Sequence, residues 1–124
     1  MKYLKLVVLS SVLLVLVSCA KDKLTNNWSL KKYEINNVNQ TINSNTGLEM
    51  DFYKDNTFKR TWIIGGFQIP ETGSWVFADA NRKIILTKQD GGVESYTVTK
   101  LTYKELKAER MDGSDKHTYS FEGK

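Results

Sequence analysis

Thiol and imidazole, the side chains on which much nucleophilic chemistry turns, occur once each in this 124-residue chain, as Cys19 and His117. A serine or cysteine nucleophile needs a histidine to take its proton, and the single candidate stands near the far end of the chain. Zinc chemistry needs paired His and Cys ligands at short spacing, and the chain has no such pair. Asp112, Ser114 and Asp115 share one short stretch, where turn formation explains them better than a weakly held cation. Glu105 and Glu109 have Lys107 between them and read as a solvated face. Two glycosylation sequons, at Asn27 and Asn39, are no more than chance supplies in a chain so rich in Asn, Ser and Thr. The expectation is a protein that is not an enzyme and uses no metal or cofactor.

Arg60 asks more of its surroundings. It falls between Phe58 and Trp62 on a face that alternation turns inward, where an unpaired charge is costly. Three readings stand open: contact with an anionic ligand group, pairing with a carboxylate such as Glu122, or a bulge that turns it to solvent. Trp62, Trp75, Phe77 and Tyr96 are its candidate companions in lining a pocket for a small apolar or amphipathic molecule. Aromatic side chains bury about 150–250 Å² each, so the same residues serve equally as a plain core. Phe67, Ile69 and Pro70 crowd residues 65–72, read as a loop beside Gly65 and Gly66. That loop is a lid, a docking patch for a partner protein, or a hairpin end folded over the core.

The elements that must position these residues are short strands. From Trp28 onward, period-two alternation is cut by turn residues every eight to twelve positions, the pattern of an all-β sandwich or barrel. Leu48, Met50 and Phe52 alternate with Glu49, Asp51 and Tyr53, and residues 54–56 turn the chain back into residues 58–64. Gly73, Trp75 and Phe77 share a face, and Asp90-Gly91-Gly92 marks a hairpin. Residues 102–110 carry a capping-box pattern, yet Leu106 and Ala108 alternate, and strand is preferred to helix there. About eight strands joined by local hairpins, with no room for a parallel crossover, predict an antiparallel up-and-down meander closed into a barrel. Closure also removes exposed sheet edges.

Ahead of the strands, Lys2 and Lys5 precede a twelve-residue run over residues 6–17, broken only by Ser10 and Ser11. It is too short to span a bilayer, which takes roughly 20 apolar residues, and reads as a signal peptide over residues 1–18. Leu16-Val17-Ser18-Cys19 resembles the lipobox of bacterial lipoproteins, which implies cleavage before Cys19 and acylation of its sulfur. Residues 19–27 then form a polar lipidated tether and residues 28–124 the barrel domain. Two or more acyl chains anchor stably where one does not. By the same resemblance, Ala20 after the cysteine implies sorting to the outer membrane.

The mature chain also resembles the lipocalin-like domains of Gram-negative lipoproteins. The matching pieces run from Trp28-Ser29-Leu30 through Met50-Asp51-Phe52, residues 55–58, Gly73-Ser74-Trp75, residues 84–86 and residues 96–102 to Glu105-Leu106. Asn56 departs from the glycine preferred in that turn. The resemblance implies a lipocalin-like barrel and leaves its ligand open.

Losing 18 residues would leave 106, enough for one domain with a real core. The formal charge of +4 falls as Lys2 and Lys5 depart, and the remaining lysines are scattered, which argues against nucleic acid. The expected partners are therefore the membrane, a small hydrophobic ligand, and an envelope protein.

Overall fold

The computed structural model describes residues 19–124, and the signal-peptide expectation for residues 1–18 lies outside them. Nine strands follow one another: β1 (Asn27–Ile35), β2 (Val38–Gln40), β3 (Thr46–Phe52), β4 (Thr57–Ile64), β5 (Phe67–Ala78), β6 (Lys83–Lys88), β7 (Val93–Leu101), β8 (Glu105–Asp112) and β9 (Asp115–Gly123). Every pairing is antiparallel between neighbours, except that β3 returns to β1 past β2, and β1 also pairs with β9. The result is an eight-stranded up-and-down barrel with β2 as an extra short strand on β1. The all-β expectation holds, and residues 105–112 are strand. The Thr102 hydroxyl, which the capping-box pattern singles out, accepts the Lys104 and Glu105 backbone N–H groups in the β7–β8 turn instead of starting a helix.

Alternation places Trp28, Leu30, Leu48, Met50, Phe52, Phe58, Trp75, Ile84, Leu86, Leu106, Tyr119 and Phe121 in one continuous core. The turns are built where the backbone can take positive φ: Asn56 at 67°, and Asp79, Ala80 and Asn81 in succession between β5 and β6. Asn56 also donates its side-chain amide to the Trp75 carbonyl, joining the β3–β4 turn to β5.

Two segments differ from the sequence expectation. Residues 19–27 are not an extended tether. Residues 19–24 form a helical turn that folds under the barrel and buries Leu24 completely. The Leu24 carbonyl accepts the Trp28 indole N–H at 2.9 Å, and Lys21 Nζ bonds Asn56 Oδ1 at 2.6 Å while lying over the Trp75 ring. A single leucine among polar residues carries this docking, which is why composition alone suggests a linker.

Residues 67–72 are likewise not a loop. The turn is only Gly65-Gly66, at φ 58° and 82°, and β5 runs twelve residues, paired with β4 from Ile64↔Phe67 onward. Strand β6 reaches only Gly73, so residues 67–72 form an exposed edge. The Thr72 carbonyl accepts from Gln89 on that open side, so by alternation Pro70 directs its missing N–H outward and the β4 ladder stays intact.

Candidate functional site

The helical turn closes one end of the barrel, the base, with the β3–β4, β5–β6 and β7–β8 turns around it. The other end, the mouth, carries the β4–β5, β6–β7 and β8–β9 turns. Just inside the mouth lies a charged cluster built from three strands. Arg60 of β4 stands opposite Glu71 of β5 in the ladder, and Glu94 of β7 reaches it from farther round the wall. Arg60 is 2 % exposed.

Glu94 holds the guanidinium bidentately, at 2.7 and 2.9 Å. Glu71 takes the Arg60 Nε–H at 3.2 Å and the Trp62 indole N–H at 2.5 Å. The Tyr96 hydroxyl accepts from Arg60 at 3.2 Å and donates to Glu94 at 2.6 Å, and the Trp62 ring lies under the guanidinium at 5.0 Å. Burial alone would lower the Arg60 pKa, but the bond to Glu94 outweighs it and holds the group firmly charged. The same bond, aided by Tyr96, draws the Glu94 carboxyl down to about 2 against its own desolvation. Burial and the Glu94 carboxylate push the Tyr96 hydroxyl well above the usual phenol range.

The carboxylate question is thus answered by Glu71 and Glu94, not by Glu122, which is exposed near the base end of β9. Two carboxylates on one guanidinium leave a negative charge in excess, offset by Lys88 Nζ at 3.8 Å from Glu94. Arg60 is thus fully committed to protein carboxylates, while Arg110 of β8, over the Tyr96 ring at 6.0 Å and with its Nε buried without a hydrogen-bond partner, is a further cation beside the cluster. Glu94 had a signal in the sequence: it shares the inward alternation of Tyr96 and Val98, a position where only a paired carboxylate is tolerable.

The remaining candidate lining residues divide between the two ends. Trp62 and Tyr96 join Arg60 at the mouth. Trp75 and Phe77 pack toward the base, edge to face with centroids 5.4 Å apart, and Trp75 donates to the Tyr53 carbonyl at 3.2 Å. Of the five, only Tyr96 borders the interior cavity, an apolar void of about 30 Å³ lined also by Leu48, Met50, Leu86, Leu106 and Tyr119. That is room for about one water molecule, against roughly 300–1,000 Å³ for a small-molecule site.

Beside the cluster, Tyr33, His117 and Tyr119 stack along β1 and β9, with a hydrogen bond between the Tyr33 hydroxyl and His117 Nδ1. Burial and neighbouring Tyr119 push the Tyr33 hydroxyl up to about 12. His117 is thus part of an aromatic stack. Among the described residues no group of three or more His, Cys, Asp or Glu is arranged to hold a metal ion. No helix among them is long and apolar enough to cross a membrane.

No family model matches this chain, and no curated protein is similar to it at a significant level.

The partner-contact candidates lie above this filled interior. Phe67 is 76 % exposed, and Ile64 and Ile69 are also exposed, together forming an apolar tip on the β4–β5 hairpin. Pro70 lies on the same edge, beside Ile69.

Proposed function

We propose that the protein is a lipid-anchored, lipocalin-like barrel of the bacterial envelope that works through its outer surface, as an accessory or inhibitory module of an envelope complex. The apolar tip of the β4–β5 hairpin is its contact surface. One observation carries this reading: the barrel is full, while Ile64, Phe67 and Ile69 are left in water at the end opposite Cys19. Exposed apolar tips of this kind mark interaction sites when they are not scattered singly. The lipobox-like residues 16–19, with Ala20 after them, support anchoring to the outer membrane through acylated, palmitate-bearing Cys19.

A photo-crosslinking residue at position 67, introduced in intact cells, is expected to give a discrete protein adduct. The same residue at Val76, which is exposed on the barrel wall, is expected to give none. Adducts of equal yield at both positions, or at neither, overturn the assignment. Acylation is tested by metabolic labelling with a fatty acid, which Cys19→Ser is expected to abolish.

The second reading, a small apolar ligand inside the barrel, draws on the mainly apolar lining of the void next to Tyr96. It requires the core to open by an order of magnitude in volume. Native mass spectrometry after exposure to a lipid extract distinguishes the two, since a filled barrel emerges with no bound molecule.

A further inference from the structure

The two ends of the barrel differ in charge as well as in shape. At the base, the helical turn brings Lys21 and Lys23, the β3–β4 turn Lys54, the β5–β6 turn Arg82, the β7–β8 turn Lys104, and the end of β9 Lys124. Lys83 and Lys100 lie at the same end, and Asp22, Asp51, Asp55, Asp79, Glu105 and Glu122 oppose this set without matching it. Asp79 is paired with Arg82 at 3.2 Å and Glu105 with Lys100 at 2.7 Å. At the mouth, Glu34, Glu71, Asp90, Glu94, Asp112 and Asp115 outnumber Arg60, Lys88, Arg110 and Lys116. The base is thus basic and the mouth acidic.

The base also exposes two tyrosines. Tyr103, 56 % exposed, stands beside Cys19 with Lys23 Nζ 6.0 Å from its ring, and Tyr53 is 44 % exposed in the β3–β4 turn. Rings with an apolar body and a polar tip, set among lysines, suit the headgroup layer of a bilayer. Cys19, the acylation site of the proposed anchor, opens the helical turn at this end, so on that reading the membrane is met on this side.

We infer that the base of the barrel is a second, non-covalent membrane-contact surface, in which Lys23, Lys54, Lys104 and Lys124 meet anionic phospholipid headgroups and Tyr53 and Tyr103 settle into the interface. The inference rests on the anchored reading only for the side on which the bilayer lies. Its effect is to hold the barrel upright, with the Phe67 hairpin pointing away from the membrane. Residues 19–24 are packed against the barrel, so the anchor and this surface act on one rigid body.

All strand pairings and the whole buried core lie within residues 24–123, so an unacylated chain of residues 20–124 carries the complete fold. This chain is expected to co-sediment at low salt with vesicles of equimolar phosphatidylglycerol and phosphatidylcholine, but not with phosphatidylcholine alone. The triple variant Lys23→Glu/Lys54→Glu/Lys104→Glu is expected to bind on the order of a hundredfold more weakly, and added salt to weaken the parent likewise. Lys31→Glu/Lys32→Glu, exposed on β1 away from the base, is the control and is expected to change little. Absence of any preference for the anionic vesicles, or an equal loss in the control, overturns the inference. Acylation is read separately: if Cys19→Ser frees the chain from cell membranes while vesicle binding is absent, the anchor stands and the surface falls. If vesicle binding is present but Cys19→Ser leaves the labelling unchanged, the surface stands and the acylated anchor falls.

Discussion

Glu94 grips Arg60 with both carboxylate oxygens across the inside of the barrel, tying β7 to β4 although the two strands are not neighbours in the sheet. A buried ion pair of this kind is poor evidence of net stability, but losing one half of it is expensive because the other half stays behind unpaired. Arg60→Met is therefore expected to cost about 3–5 kcal/mol in urea unfolding. Adding Glu71→Gln and Glu94→Gln to that variant is expected to recover much of the loss, since no carboxylate is then left buried without its guanidinium. If the triple variant is less stable than Arg60→Met alone, the cluster contributes more than charge cancellation.

The same contact sets an acid limit. The Glu94 carboxyl titrates near 2 in the folded chain and near 4.5 when unfolded. Its contribution is fully present above about pH 4.5 and fades as pH falls toward 2, because the unfolded chain takes up the proton first. A shift of this size corresponds to at most about 3 kcal/mol. Stability measured across that window should fall steeply in the parent and much less in Glu94→Gln, which starts lower and carries no titrating group at this position.

Gly73 lies where β5 passes from its free edge into its pairing with β6. A Cβ there would stand 2.1 Å from the Thr87 carbonyl oxygen and 2.7 Å from Phe58 Cε1. The first of these is backbone of the paired strand and cannot swing away. Gly73→Ala is expected to cost about 1–3 kcal/mol or more, and amide exchange should locate the loss in residues 83–88 rather than in β8 and β9.

Leu24 is the one apolar side chain that fastens the helical turn to the base. Leu24→Ala is expected to destabilise the fold by about 2–5 kcal/mol. It should also open residues 19–26 to trypsin at Lys21 and Lys23 well before the strands are cut. If cleavage there is no faster than in the parent, Lys21 and its bond to Asn56 are sufficient to hold the segment.

The parts of this fold that are legible in the sequence are those written as local alternation. Leu48, Met50 and Phe52, or Leu106 and Ala108, announce a strand and its inward face without help from the rest of the chain. The partner of Arg60 is a different matter. Glu94 lies 34 residues away, and only barrel closure brings β7 to face β4, so its inward position marks a carboxylate that must be paired without naming Arg60 as the partner. Residues 67–72 read as a loop because Gly65, Gly66 and Pro70 cluster there. The glycines belong to the two-residue turn, while the proline is tolerated on an edge strand whose outer N–H groups have no partner. The docking of residues 19–24 has a single leucine as its signal, too little for periodicity to register. The small cavity has none, because whether aromatics fill a barrel or line it depends on their rotamers and on strand tilt.

Pro70 has one more consequence. An open strand on any protein is an invitation to polymerise, because its free backbone groups can pair with a neighbouring copy. By withholding a hydrogen at the middle of the free β5 border over residues 67–72, this chain denies a neighbouring copy the continuous ladder that runaway stacking requires. The hairpin thus keeps Ile64, Phe67 and Ile69 in water without offering its backbone to its own kind.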